Sequence, residues 1–434
     1  MNFIKLKENK FVKNVLMLAG GTAFAQLLTI ALSPIITRLY TPNEYGVLSV
    51  YVSILTLLGV GATLNYHRGI PLVKDEKKAF NVVFLSFIVL FLFISLLFSL
   101  IFIRGESFLA AMNSSALVDY MYFIPLGVLL LGIYQIFMHW SMRTKNFKTI
   151  TKTKITQSIF SNGTKIGLGI ISLGPAGLLI GHIIGQSGGI IRLAKPLFKQ
   201  RHDFVKSVSL QIVKIEARKY SQFPIFTTPS GYVYTGGSQL PFIILATIFG
   251  PTIVGLYGLA NSIVNLPIAL IATSISQVFY SEAASLGIGN AKRIKSLSLK
   301  LTSKLALAGL IPMLIFIFLG PLLFGLVFGA QWQEAGTYAG VLSIIAYTHF
   351  VILPIGRVLE VLNMEKVSLL VHSVRLVFIG LAFYLSFILE FGPLNTLILF
   401  AIVSSSSYIV LFVVVQFLLT KQIRINESKE VREN

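Results

Sequence analysis

Apolar residues in this chain fall in runs long enough to cross a lipid bilayer, not in the short alternating patterns of water-soluble folds. A spanning helix needs about 20 predominantly apolar residues. Twelve such stretches can be marked, at 14–37, 45–66, 80–103, 119–141, 150–172, 175–194, 222–249, 252–280, 298–328, 335–362, 367–389 and 394–419. Six precede and six follow the segment from Lys195 to Ser221, KPLFKQRHDFVKSVSLQIVKIEARKYS, which no bilayer interior would accept. It carries seven Lys/Arg against the two acids Asp203 and Glu216, with Phe204, Val208, Ile212 and Ile215 at helical spacing. That pattern predicts a basic amphipathic helix on the cytoplasmic face. The expected organisation is an N-terminal six-helix lobe (1–194), the connector (195–221), a C-terminal six-helix lobe (222–420) and a tail (421–434).

Composition agrees, with 55% hydrophobic and only 12% charged residues. Water-soluble domains carry roughly a quarter charged residues, so the chain reads as an all-α polytopic membrane protein. Its formal net charge of +20 would ordinarily suggest nucleic acid. Where the charges sit argues against that. Thirty-one of the 36 Lys/Arg fall in alternate hydrophilic segments, whereas the opposite set of loops holds only Arg38 and Arg104. Cations gather on the cytoplasmic side, where anionic lipid headgroups attract them, so both termini are expected in the cytoplasm. The opening MNFIKLKENKFVKN reads as the flank of a retained first helix, since no small-residue cleavage site follows a short apolar core. There is no cysteine, which removes disulfides, thiolate metal sites and cysteine nucleophiles.

The two halves echo each other. Pro42 and Gly46 match Pro251 and Gly255, each at a shift of 209 residues. With an even number of spans per half, the two copies share one orientation, as in a transporter whose cavity lies between rocking lobes.

Several polar side chains interrupt the spans. Thr22, Gln26, Thr29, Ser33 and Thr37 form a stripe down the first, expected to face protein or water, with Gln26 the most distinctive. In the fifth, Gln157, Ser161 and Lys165 recur at four-residue spacing. Lys165 lies roughly 16 Å by helical rise from Lys154, and a buried ammonium costs at least about 2.5–3.5 kcal/mol, so it should face a cavity or snorkel to an interface. His349, Arg357 and Glu360 share a face of the tenth span, and Ser368, His372 and Arg375 one of the eleventh. Arg357 and Glu360 can neutralise each other, whereas Arg375 has no acid within a helical turn and is the better anion ligand. Tyr66, His67 and Arg68, with His139, Arg143 and Lys145, are placed at the cytoplasmic mouth. The seventh span, with three prolines, is expected to be kinked or locally unwound. No P-loop or HExxH motif occurs, no external loop exceeds about fifteen residues, and no metal site or catalytic residue is expected.

The stretch LNYHRGIPLVKDEKKA (64–79) looks like a segment of bacterial polysaccharide-export flippases, the O-antigen and teichoic-acid translocators of the multidrug/oligosaccharidyl-lipid/polysaccharide (MOP) superfamily. So do HWSMRTKNFKTITKTKITQS (139–158), GLLIGHIIGQSGG (177–189), ARKYSQFPIFTTPS (217–230) and the run 239–284. The departures are Asn65 and His67 around Tyr66, with Arg68 displaced, and Ser262 where the family often has Arg. The resemblance implies a MATE/MOP-like fold of twelve transmembrane helices in two six-helix bundles around a central cationic cavity. It also implies a multi-pass protein of the bacterial cytoplasmic membrane that translocates undecaprenyl-diphosphate-linked oligosaccharide and is not an enzyme. Expected partners are that lipid-linked glycan, anionic lipid at the cytoplasmic face and polysaccharide polymerase or assembly proteins, with no nucleic acid and no cofactor. In this reading Arg375, Lys165, Arg357, His372, Arg68 and Arg143 supply charge, Gln26, Gln157 and Asn265 offer hydrogen bonds to sugar, and Glu360 and His349 are candidates for ion coupling. The alternative is a MATE-type drug or cation antiporter, which would want buried acids, and Glu360 is the in-helix candidate.

Overall fold

The chain obeys its local signals closely. Thr41 and Glu44 form a reciprocal capping box: the Thr41 hydroxyl accepts from the Glu44 amide at 3.3 Å, and Glu44 Oε2 accepts from the Thr41 amide at 2.7 Å. With Pro42 at the first helical position, this fixes where the second helix starts. Asp75 caps another helix by accepting from the Lys78 amide at 2.8 Å. The computed structural model describes residues 10–433, and the flank 1–9 expected before the first span lies outside them.

Seventeen α-helices and no strand occur among the described residues. They are α1 (Lys10–Leu39), α2 (Pro42–Gly61), α3 (Glu76–Ala111), α4 (Phe123–Arg143), α5 (Phe147–Ile170), α6 (Pro175–Ser187), α7 (Ile190–Lys199), α8 (Arg201–Ser207) and α9 (Leu210–Lys219). After a π-turn at Phe223–Thr227 follow α10 (Thr228–Phe249), α11 (Pro251–Val264), α12 (Thr273–Leu286), α13 (Ala291–Phe328), α14 (Gln333–Gly356), α15 (Val358–Val361), α16 (Glu365–Ile388) and α17 (Pro393–Glu433).

Each of the twelve expected spans coincides with a helix or a helix pair. Ten are long and apolar enough to cross a membrane, and an eleventh is the bent pair Pro251–Val264 and Ile268–Leu286. The twelfth, α5, has 24 residues, enough length for a bilayer, but carries too many Lys, Thr, Ser and Asn to pass on hydropathy. Phe102, Leu307 and Phe318 are each more than 70% exposed, which suits side chains bathed in lipid.

Two departures have local causes. The connector is three short helices, α7 to α9, not one. It turns at Gln200 and at Val208–Ser209, where Asn81 of α3 accepts from the Ser209 amide and donates to the Ser207 carbonyl, both at 2.9 Å. Phe204 packs edge-on against Phe80 at 5.5 Å, so part of the apolar face is spent on the protein. In the seventh span the expected loosening is a π-turn at Phe223–Thr227 just before Pro229, and Pro241 is carried inside α10, whereas a bend falls in the eighth. There Pro267 interrupts the ladder between Val264 and Ile268, and the chain answers with a π-turn at Ile268–Ala272 and a 41° bend.

Backbone contacts divide the chain into two compact units, 1–255 and 256–434. In the first, α5 packs between α1 and α6, and α10 lies along α2. The start of α11 crosses the start of α2 so closely that a Cβ on Gly46 would overlap the Pro251 carbonyl oxygen, and one on Gly255 would overlap that of Pro42. Asn43 donates to the Thr252 hydroxyl at 3.3 Å in the same crossing. All three pairs join residues of one repeat to residues of the other, as a local two-fold requires. The second unit is built on α13, α14 and α17. Gly320 and Gly336 bring α13 and α14 into backbone contact, and Gln416 and Lys295 tie α17 to α13.

Candidate functional site

Helix α5 explains how a polar span is held. One face bonds to α1: Ser158 donates to the Ala25 carbonyl at 2.8 Å, Asn162 to the Thr29 hydroxyl at 3.0 Å, and Thr151 to the Met17 carbonyl at 3.3 Å. The opposite face meets Gly177, Gly181 and Gly185 of α6, at four-residue spacing. A Cβ on Gly181 would lie 2.5 Å from Lys165 Cγ, and one on Gly185 would overlap Ser161. Small residues thus let α5 press its polar edge against α6, the usual device for close helix packing in lipid.

Lys165, half-buried, is laid along that seam. The Tyr40 hydroxyl donates to its backbone carbonyl at 2.7 Å. His182, next to Gly181, lies within electrostatic reach of the ammonium and edge-on to Tyr51 at 5.9 Å. Among the described residues no ion pair forms at Lys165. Gln157 donates to the Gln186 carbonyl at 3.0 Å, so its amide serves the α5–α6 seam. Gln26 Oε1 is buried without a hydrogen bond.

In the second unit the expected residues converge on one that sequence reasoning missed. Arg375 donates from Nη1 to the Tyr408 hydroxyl at 2.7 Å, and its guanidinium sits over the Tyr408 ring at 4.4 Å. His349 stacks on the same ring at 4.8 Å, and His372 and Tyr257 are within electrostatic reach of Arg375. Arg375 Nε is buried with no hydrogen-bond acceptor. Arg357 stands apart: it makes a bidentate pair with Glu360 at 3.0 and 2.9 Å and lies over Tyr280 at 4.2 Å. Its charge is matched, which leaves Glu360 no free carboxylate. Asn265 donates to the Asn261 carbonyl and amide oxygen, both at 2.8 Å, beside the helix break.

A third cluster closes the end of α2. His67 is buried, shares a hydrogen with Thr63, and its ring centre lies 4.5 Å from that of His139. Burial first, then the neighbouring His139 and Arg68, holds its imidazole well below the usual histidine range. His139 donates to the Gln135 carbonyl at 2.8 Å, and Arg143 to that of Lys74 at 3.0 Å. Arg68 is exposed.

Two signals for these clusters were present in the sequence. The glycines of GLLIGHIIGQSGG mark the α6 seam, and a shift of 210 residues carries Lys165 to Arg375 and His139 to His349. Tyr408, Tyr257 and Tyr40 had no such marker, because a tyrosine in an apolar span is ordinary.

Fold and site together define a multi-pass α-helical membrane protein of the flippase and antiporter fold. Against solved structures the chain superposes on an inward-facing MATE-family multidrug transporter of the MOP superfamily with a TM-score of 0.70, at 14% identity, covering 92% of this chain and 96% of that one. The lipid II flippase MurJ in an inward closed conformation gives 0.69, also at 14% identity, over 96% and 93%. At these identities the likeness is one of fold. The family comes from the sequence: residues 35–337 match the polysaccharide biosynthesis protein family, and the chain belongs to it. Among curated proteins it is similar to the teichuronic acid biosynthesis protein TuaB of Bacillus subtilis (strain 168), 24% identical over 340 residues, 77% of this chain and 67% of that protein.

Proposed function

We propose that the protein is a flippase that carries undecaprenyl-diphosphate-linked oligosaccharide from the inner to the outer leaflet of the bacterial cytoplasmic membrane by alternating access, with both termini cytoplasmic and no catalytic chemistry. Its moving lobes are 1–194 and 222–420, joined by 195–221. One observation carries this reading. Lys165 and Arg375 stand in corresponding helices of the two halves, within membrane spans, and neither has a carboxylate partner among the described residues. An unpaired charge at that depth is costly, so an anion supplied by the substrate is the natural counter-charge. A diphosphate provides it, and the Arg375 Nε without an acceptor gives one ready donor. Asn265, Gln26 and His372 would meet sugar hydroxyls.

An inside-negative potential favours outward movement of an anion by roughly 2.3 kcal/mol per charge per 100 mV. The antiporter reading needs a free acid, and Glu360 is spent on Arg357. The test is a deletion strain complemented with wild type, Lys165→Ala or Arg375→Ala, followed for lipid-linked glycan intermediates in each leaflet. Build-up on the inner leaflet in the deletion and in both variants is expected. A leaflet distribution untouched by deletion would remove the flippase reading.

A further inference from the structure

Where α6 ends, the chain turns through Gly188 and Gly189, the latter at φ +83°, into the basic helix α7. The turn leaves an open cleft of about 580 Å³ against α5. One wall is polar and positive. Arg192 and Lys195, one helical turn apart on α7, line it together with the hydroxyls of Thr156 and Ser187. Arg192 is oriented by a single bond from Nη1 to the Thr156 hydroxyl at 3.2 Å, which leaves its other N–H groups open. Among the described residues Lys195 makes no ion pair and no carboxylate lines the cleft. The other wall is hydrocarbon: Phe160, Ile184 and Ile191 are 55%, 36% and 86% exposed.

The cleft sits where an apolar span, Pro175–Lys199, passes into its charged end, the depth at which headgroups meet acyl chains. Glycine at 188 and 189 keeps it open. A Cβ at 189 would crowd Thr153 at 2.9 Å, and a larger side chain at either position would project into the space between α5 and α7.

We propose that this cleft binds one anionic glycerophospholipid, its phosphate held by Arg192 and Lys195 and its acyl chains laid on Phe160, Ile184 and Ile191. The combination selects the ligand. A free phosphate has no use for the apolar wall, a zwitterionic lipid gains little from two unpaired cations, and a soluble acidic segment would not bury its backbone against exposed isoleucine at a membrane boundary. Basic pockets between membrane helices are suited to such headgroups, with about 1 kcal/mol for each Lys or Arg near the surface, or roughly fivefold in affinity per charge. The proposal is independent of the glycan-flipping reading, since a transporter of any substrate would retain such a lipid.

The test uses the full-length protein in detergent, with bound lipid counted by native mass spectrometry after titration with phosphatidylglycerol or phosphatidylcholine. Wild type should retain one phosphatidylglycerol in preference to phosphatidylcholine, and Arg192→Gln/Lys195→Gln should lower its affinity about 25-fold. Lys214→Gln/Arg218→Gln removes equal charge from α9, outside the cleft, and should lower it less than threefold. Equal retention of the two lipids, or equal losses in the two double variants, overturns the proposal. Displacement by millimolar inorganic phosphate reassigns the cleft to a free anion. Retention of a short polyprenyl diphosphate at least as strong as that of phosphatidylglycerol reassigns it to substrate. Should the cleft variant fail to fold, salt titration of the wild type decides: retention unchanged between about 0.05 M and about 0.5 M salt refutes an electrostatic headgroup site.

Discussion

Replacing Gly46 or Gly255 with alanine probes the crossing of the two repeats. A Cβ on Gly46 would overlap the Pro251 oxygen and lie 2.5 Å from its carbonyl carbon; one on Gly255 would overlap the Pro42 oxygen and lie 2.8 Å from that carbonyl carbon. Ordinary contact needs about 3.4 Å or more, so either methyl forces the helix starts apart by about 1 Å. The atoms struck are backbone, which cannot rotate aside. Overpacking of this kind costs about 1–3 kcal/mol, against the roughly 1 kcal/mol that alanine gains over glycine within a helix. Each single variant should therefore lose stability in reversible unfolding in mixed micelles, with the buried Trp140 and Trp332 as fluorescent reporters. The double variant carries the sharper prediction. Both methyls demand the same opening, so the second should cost much less than the first, with a coupling of about 1 kcal/mol or more in the cycle. The chain has no cysteine, so an Asn43→Cys/Thr252→Cys pair reports the opening directly, and its oxidative cross-linking should slow once Gly46→Ala is added. Singles more stable than wild type, or losses that simply add, would falsify the close two-fold crossing.

The His67 cluster predicts a pH response. Its imidazole is held below the ordinary value of about 6.5 when folded, so below that pH the unfolded chain binds the extra proton and the folded one resists it. Stability should be full near pH 8 and fall as pH drops through about 6.5, and His67→Asn should flatten the fall as read by thermal unfolding at a series of pH values. At the second unit's cluster, Tyr408→Phe removes the hydroxyl that holds Arg375 Nη1. A hydrogen bond to a charged group is worth about 1.5–3 kcal/mol, so glycan export in a complemented deletion strain should fall by about tenfold or more with protein levels unchanged. Export at the wild-type level would show that the bond does not position Arg375.

How much of this was legible in the sequence depends on whether a feature is periodic or pairwise. Eleven of the twelve spans follow from long apolar runs, because the backbone polar groups of a lipid-crossing segment must be satisfied internally. Even α5 was placed correctly, although its composition disguises it, since Gln157, Ser161 and Lys165 recur at helical spacing. What a single chain does not display is who meets whom. The pairing of Arg357 with Glu360 was readable because it is local, whereas Arg375 with Tyr408 joins residues 33 apart on different helices. Proline content alone did not place the bend: the proline-rich seventh span carries Pro241 inside α10 with a π-turn at Phe223–Thr227, whereas the break in the eighth falls at Pro267. The connector's break at Val208–Ser209 is held by Asn81 reaching back from α3, a contact that no periodicity encodes.

The first unit shows why a charge survives in this membrane helix at all. A lysine on an isolated apolar helix would be drawn to an interface, because hydrocarbon offers the ammonium nothing. Here the helix that carries it is itself polar, and its polarity is consumed in pairs: Ser158 and Asn162 against α1, Gln157 against Gln186. The glycines at 177, 181 and 185 bring α6 close enough for those pairs to form without long side chains between. Tyr40 then takes the Lys165 carbonyl, fixing where the stem leaves the helix. Most of the polar donors of that seam are thereby committed elsewhere, and among the described residues no carboxylate pairs with the ammonium. Arg375 reaches the same condition by other means, with an aromatic hydroxyl and ring beneath it in place of a glycine seam. On the proposed flippase reading the two unlike scaffolds would serve one anionic cargo, because in either unit a neutral side chain would have packed at lower cost.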